Sequence, residues 1–158
     1  MVSESRLYHY TPLQQAHAIR RAGVIQPHAI VLYRDFFMRG ERRTSPPLVW
    51  LTVDERMECT IATKMMLSGC ADPVMQMCRI VVPSEYGWLG LHQLAANNSI
   101  EFDWFNCMVM TGGIAGSDWR DWRLSEVAIP AADWLAVEIL TQLDEDGTAH
   151  WGSHGTDQ

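Results

Sequence analysis

Residues 6–23, RLYHYTPLQQAHAIRRAG, decide the fold. The first six suit a short β-strand in which Leu7, His9 and Thr11 face one way and Tyr8 and Tyr10 the other. Thr11 offers a helix cap, and Pro12 fits a first helical position because its missing N–H costs nothing there. Leu13, Ala16 and Ile19 then recur at helical spacing, and Gly23 supplies a stop. A strand feeding directly into a helix, followed by more strands than helices, predicts an α+β domain.

The rest of the chain supplies the sheet. A short apolar run, AIVLY (29–33), precedes RDFFMRGERRTSPP (34–47), which holds four arginines, one glycine and two prolines without a clean period and reads as a long loop. LVWLT (48–52) reads as a strand, residues 55–68 as a helix ending at Gly69, and VMQMCRIVVP (74–83) as a strand closed by proline. Residues 85–98 read as helical or irregular, and the aromatic-rich 100–113 is ambiguous by period. RLSEVAIP (123–130) and WLAVEIL (134–140) read as two strands joined by a tight connection. The expected unit is one domain over 1–143, with short helices on a mixed or antiparallel sheet. A polar, glycine-containing tail over 144–158 is expected to be disordered.

Composition narrows the function classes. A chain of 158 residues with 47% apolar and 20% charged residues can bury one core. Its net charge of −7 argues against a broad nucleic-acid surface and leaves room for a local basic patch. Four of the 19 acidic residues (Asp144, Glu145, Asp146 and Asp157) belong to the tail. Eleven of the 12 basic residues are arginine, Lys64 being the exception, and seven tryptophans is a high count for this length. No apolar run reaches the roughly 18–20 residues needed to cross a bilayer, and the polar start is not a signal peptide. Cys59, Cys70, Cys78 and Cys107 show no metal or disulfide spacing, so buried thiols in a reducing cytoplasm are expected. His150 and His154 lie four apart without a third ligand, and no metal site is expected.

Three spots can carry chemistry. His9 and Thr11 put two hydrogen-bonding groups on one strand face; the alternative is a structural histidine beside a capping threonine. Trp50 and Thr52 pair a stacking ring with a hydroxyl; the alternative is a core anchor. Glu126, between Leu124 and Ala128 on its strand face, is a carboxylate whose burial is costly unless paired. That makes it a candidate functional acid, or else the partner of Arg120 or Arg79. Arg34, Arg39, Arg42 and Arg43 can hold a phosphate or simply be solvated.

Taken in order, L-Y-H-Y-T, a helix closed by glycine, P-L-V-W-L-T and R-L-S-E-V-A-I-P-A-A-D-W-L-A-V-E-I resemble the ADP-ribosyltransferase fold. The closest branch carries a His, a tyrosine or hydroxyl, and a Glu, and includes the DarT-like nucleic-acid-modifying toxins and the small rifampin-modifying enzymes. The resemblance spans most of residues 6–140. It implies a split β-sheet, NAD as co-substrate, and a glycosyltransferase reaction that moves ADP-ribose to a nucleobase, small molecule or protein acceptor. It also implies His9 on a ribose hydroxyl, Thr11 supporting that subsite, Trp50 and Thr52 near the nicotinamide, and Arg34 and Arg43 toward the diphosphate. Glu126 would be the catalytic carboxylate at the nicotinamide ribose, where positive charge develops as the glycosidic bond breaks. The second motif reads Trp-Leu-Thr, so Tyr33 or Tyr86 is an alternative stacking residue. Leu124 stands where families that modify protein arginine carry an acid, which points toward a nucleobase or small molecule. Two further readings remain open: a non-catalytic nucleotide- or protein-binding module, such as an accessory or phage-encoded inhibitor, and RNA 2′-phosphotransferase chemistry built on the 34–47 arginines.

Overall fold

The computed structural model describes residues 6–29, 31–33, 42–57, 76–97, 106, 109–110 and 116–155, with 31–33, 42–44 and 97 by their backbone. The strands are β1 (Arg6–Pro12), β2 (Val24–Ile25), β3 (Val31–Tyr33), β4 (Arg42–Thr44), β5 (Val49–Thr52), β6 (Met77–Pro83), β7 (Leu89–Gly90), β8 (Trp122–Ser125), β9 (Ile129–Pro130), β10 (Ala136–Leu143) and β11 (Ala149–Ser153). Among the described residues the α-helices α1 (Leu13–Ala22) and α2 (Leu91–Asn97) accompany them. Seven strands form one sheet in the order β11-β10-β6-β1-β5-β8-β7, and β2-β9 and β3-β4 form two small ribbons. Every strand pair is antiparallel. The molecule is thus α+β, with a largely antiparallel sheet and short helices.

The opening motif folds much as its pattern demands. α1 stops at Gly23, whose φ of 69° is the left-handed conformation that glycine adopts without penalty. Its amide bonds back to Ile19 O and Arg20 O. The cap differs from expectation. Pro12 occupies it without a side-chain bond, and Thr11, inside β1, donates to Gln15 Oε1 at 3.3 Å.

β1 and β6 are the spine. They pair at seven positions, and the interior of both is buried on both faces. One face packs Leu7, Val49, Leu51, Ile80 and Val82 under Ile19 of α1. The other carries Tyr8, Tyr10, Met77, Val81 and Leu140 near β10, and Leu89, Leu91, Leu94, Trp122 and Leu124 near β7. Cys78 is buried on β6, and burial pushes its thiol up to about 11, so it stays protonated. Cys59, Cys70 and Cys107 lie outside the described residues.

Three expectations change. The tail is not wholly disordered: β11 pairs with β10, and Trp151 supplies its anchor. The Arg79 guanidinium lies between the Tyr8 ring (4.6 Å) and the Trp151 ring (4.2 Å) while its Nε donates to Glu138 at 2.6 Å. The domain therefore extends through residue 153, because one aromatic ring gains a cation and a hydrophobic neighbour by docking. The segment 34–47, read as a loop, contributes β4 to a hairpin with β3; residues 34–41, Arg34 included, lie outside the described residues. The strand expected over 123–130 is broken into β8 and β9, which belong to different sheets.

The sheet has one weak seam. β1 and β5 pair only at Tyr8↔Thr52, whereas β5 and β8 pair at four positions. β11-β10-β6-β1 and β5-β8-β7 are therefore two blocks whose ladder is joined at one position, with Leu7, Val49, Leu51 and Ile80 packed across it. Gly87 sits across that seam: a Cβ there would collide with Leu7 Cδ1 of β1 and lie 2.8 Å from Arg123 Cβ of β8. Gly87→Ala is expected to destabilise the fold by about 1–3 kcal/mol, as overpacking does. Urea denaturation measures it, and a stability equal to wild type would show that the Leu7 and Arg123 side chains make room for the methyl group without strain.

Candidate functional site

The seam between β1 and β5 is where the predicted residues gather. A backbone carbonyl inside a sheet needs a donor, and a continuous ladder would supply an amide. Beyond Tyr8↔Thr52 the two strands leave register, and the His9 ring takes that place: Nδ1 donates to Trp50 O at 2.9 Å. The carbonyl can only accept, so in neutral His9 the proton sits on Nδ1 and Nε2 is left as an acceptor. Burial lowers the His9 pKa below its ordinary value of 6.5, the bond to Trp50 opposes this, and His28 lowers it further. His9 is therefore neutral near pH 7.

His28 is a neighbour that strand and helix patterns did not reveal. It is exposed, it forms an antiparallel bridge with Leu48 just before β5, and its charge disfavours one on His9. The QPH stretch carries no period, and only the tertiary bridge brings it beside the seam.

Trp50 and Thr52 occupy the same strand but the opposite face. Their register partners Leu124 and Trp122 share that face, as does Tyr8 opposite Thr52, while His9 and Thr11 lie with Leu7 on the other. The Trp50 ring packs edge-to-face on Trp122 at 5.8 Å, and its buried Nε1 has no hydrogen-bond partner among the described residues. Thr52 is buried, and its hydroxyl accepts from Asp54 N at 3.0 Å, closing the turn after β5. The structure thus brings His9, Thr11 and the Trp50 carbonyl together, and does not bring the Trp50 and Thr52 side chains to them.

Glu126 is exposed, contrary to the buried strand position expected for it. The cause is local. Ser125 is fully buried, donates its hydroxyl to Val127 O (2.9 Å) and accepts from Val127 N (3.3 Å). This clasp ends β8, satisfies backbone groups the ladder would otherwise have used, and holds Glu126 at the tip of a bend. The expected arginine partners are taken: Arg79 pairs with Glu138 and Arg120 with Asp118. Among the described residues no side chain pairs with Glu126. β1 and β8 both run antiparallel to β5, so Thr11 and Glu126 emerge at the same edge of the sheet, the edge where the seam is open.

The remaining candidates lie apart. Arg43 is on β4, whose backbone alone is described, as is that of Tyr33 on β3. Tyr86 donates its hydroxyl to Asp133, and that bond pushes its pKa up to about 12. His150 is bound to Asp144 at 2.7 Å. No cluster of three metal-ligating residues occurs among the described residues, and no helix among them is long and apolar enough to cross a membrane.

The depressed His9 pKa has a consequence for stability. As pH falls below 6.5 the unfolded chain takes up this proton before the folded one does. The stability His9 contributes is therefore complete above 6.5 and declines with acid, down through the lowered folded value. His9→Asn keeps an N–H near the Nδ1 position and removes the titration. The slope of folding free energy against pH between neutral and mildly acid solution should be shallower in this variant. An unchanged slope would place the His9 pKa at its unfolded value.

The chain matches no protein family, no curated protein and no solved structure, so the chemistry of this site rests on its own residues.

Proposed function

We propose that the chain is an NAD-dependent ADP-ribosyltransferase whose donor site is the open edge of the β1–β5 seam. One observation carries the reading: β1, which holds a neutral His9 buried at the open seam, and β8, which is followed by an exposed Glu126 with no side-chain partner among the described residues, reach the same edge of a sheet split between them. His9 Nε2 accepts from a ribose hydroxyl, for which a neutral, desolvated imidazole is the right partner. Glu126 faces the ribose carbon that gains positive charge as nicotinamide departs, and a fixed carboxylate stabilises that charge. A carboxylate without an arginine partner among the described residues is better suited to this than one neutralised by a guanidinium, because its full charge is available to the transition state. Trp50 acts through its carbonyl, by holding the His9 ring, and Thr52 acts by ending β5. Leu124, two residues before Glu126, is fully buried, which leaves that position without an acid to orient a guanidinium acceptor. The acceptor is accordingly a nucleobase or another small planar nucleophile.

A second reading has a specific observation behind it. The Trp50 and Thr52 side chains face away from His9, so the second motif offers no side chain to clamp nicotinamide. A module that binds a nucleotide without cleaving it fits that arrangement.

Incubation with NAD and measurement of released nicotinamide separates the two. Glu126→Gln should lower turnover about 100-fold or more, the range for losing one group that stabilises transition-state charge. Its melting temperature should match wild type, because Glu126 is exposed and has no side-chain partner among the described residues. Activity retained in Glu126→Gln would overturn the catalytic assignment, and NAD binding without nicotinamide release would favour the binding module.

A further inference from the structure

Three tryptophans left over from the donor site, Trp88, Trp119 and Trp122, share a place of their own. A pocket of about 180 Å³ opens at the β7 edge, lined chiefly by Trp88, Trp119, Trp122, His92, Arg120 and Arg123. Trp122 is buried, Trp119 is half-buried, and Trp88 is 64% exposed, the most exposed large apolar side chain among the described residues. Leaving an indole in water forgoes the burial that normally places tryptophan inside or at an interface. Three indoles around one hollow mark a stacking site rather than a stray surface ring.

Its polar groups are cationic or hydrogen-bonding. The Arg120 guanidinium lies 5.5 Å from the Trp119 ring, its side chain 72% exposed, and is steered by Asp118, which accepts from Arg120 N at 2.9 Å and from Nη1 at 3.3 Å. Arg123 Nη1 donates to the carbonyls of Arg120 and Trp122, so one arginine braces the segment that carries the other. The His92 ring meets Trp119 edge-on at 6.4 Å. Asp118 neutralises part of the Arg120 charge but leaves guanidinium donors open to a second anion.

We infer that this pocket binds one unpaired nucleobase, stacked between Trp88 and Trp119, with its phosphate on Arg120. Planar π-faces with an adjacent guanidinium are the chemistry that recognises bases without regard to sequence. The volume falls below the roughly 300–1,000 Å³ of pockets for drug-sized ligands, which fits one ring system and not a dinucleotide. The net charge of −7 agrees with a single-base contact and disfavours a long phosphate track. The ligand is a nucleotide, either free or at an unpaired position of a nucleic-acid strand. The inference stands whether or not the chain cleaves NAD.

Quenching of tryptophan fluorescence in the full chain tests it, with AMP, adenosine, a short single-stranded oligonucleotide and its duplex as separate titrants. AMP and the single strand are expected to quench saturably, and Trp88→Ala to weaken both about 10-fold or more, the scale of one base–indole stack. The melting temperature should be unchanged, because Trp88 is exposed. Arg120→Gln should abolish the preference for AMP over adenosine. Equal affinity for AMP and the single strand identifies a free nucleotide as sufficient; a much tighter strand identifies polymer as the source. Affinities unaltered by Trp88→Ala, or duplex bound as well as single strand, would overturn the inference.

Discussion

A carbonyl that has lost its ladder partner organises the candidate site. Where β1 and β5 leave register, Trp50 O faces a gap instead of an amide, and an unpaired buried carbonyl costs as much as a lost hydrogen bond. The His9 imidazole fills the gap. This demand explains three properties together: the ring is buried, its tautomer is fixed, and its charge is suppressed. A residue recruited to repair a seam is also one held at a seam, which is where a ligand can enter a sheet. The structural and functional readings of His9 thus describe two nitrogens of one ring.

The second constraint is at the other side of β5. Ser125 closes on Val127 so that β8 stops, and the chain crosses to pair with β2. Glu126 is lifted out of the sheet by this turn. Had the strand continued, its carboxylate would have lain beside Leu124, in the apolar cluster under Trp122. The same three residues that read as strand pattern in sequence therefore decide whether the acid is buried or presented to solvent.

Local pattern carried much of the architecture. Residues 6–23, 77–83 and 136–140 have periods long enough, and stops definite enough, to be read without knowing their neighbours. What escaped depends on pairing. The opposite facing of His9 and Trp50 follows from the register Tyr8↔Thr52, which no single strand encodes. The break at Glu126 depends on a serine hydroxyl choosing its own backbone over the ladder, and any serine in a strand looks alike in sequence. The tail lacked an apolar period, yet Trp151 brings it down onto Arg79. A single cation between two rings compensates for a pattern that predicts nothing. Of the candidate site residues, His9 and Thr11 were legible in their strand and facing, and Glu126 as a carboxylate beside a strand but not as the exposed tip of a bend. Trp50 was legible as a position but contributes its backbone rather than its ring, and His28 was not legible at all.

The role of His9 is open to direct observation. Imidazole ¹⁵N NMR of the full chain near neutral pH reports which nitrogen carries the proton and which meets a ligand. The expected spectrum shows a neutral ring protonated at Nδ1, with the Nε2 resonance shifting as NAD is titrated and the Nδ1–H signal persisting. An imidazolium at that pH, or an Nε2 resonance unmoved by a large excess of NAD, would contradict a donor site at the seam.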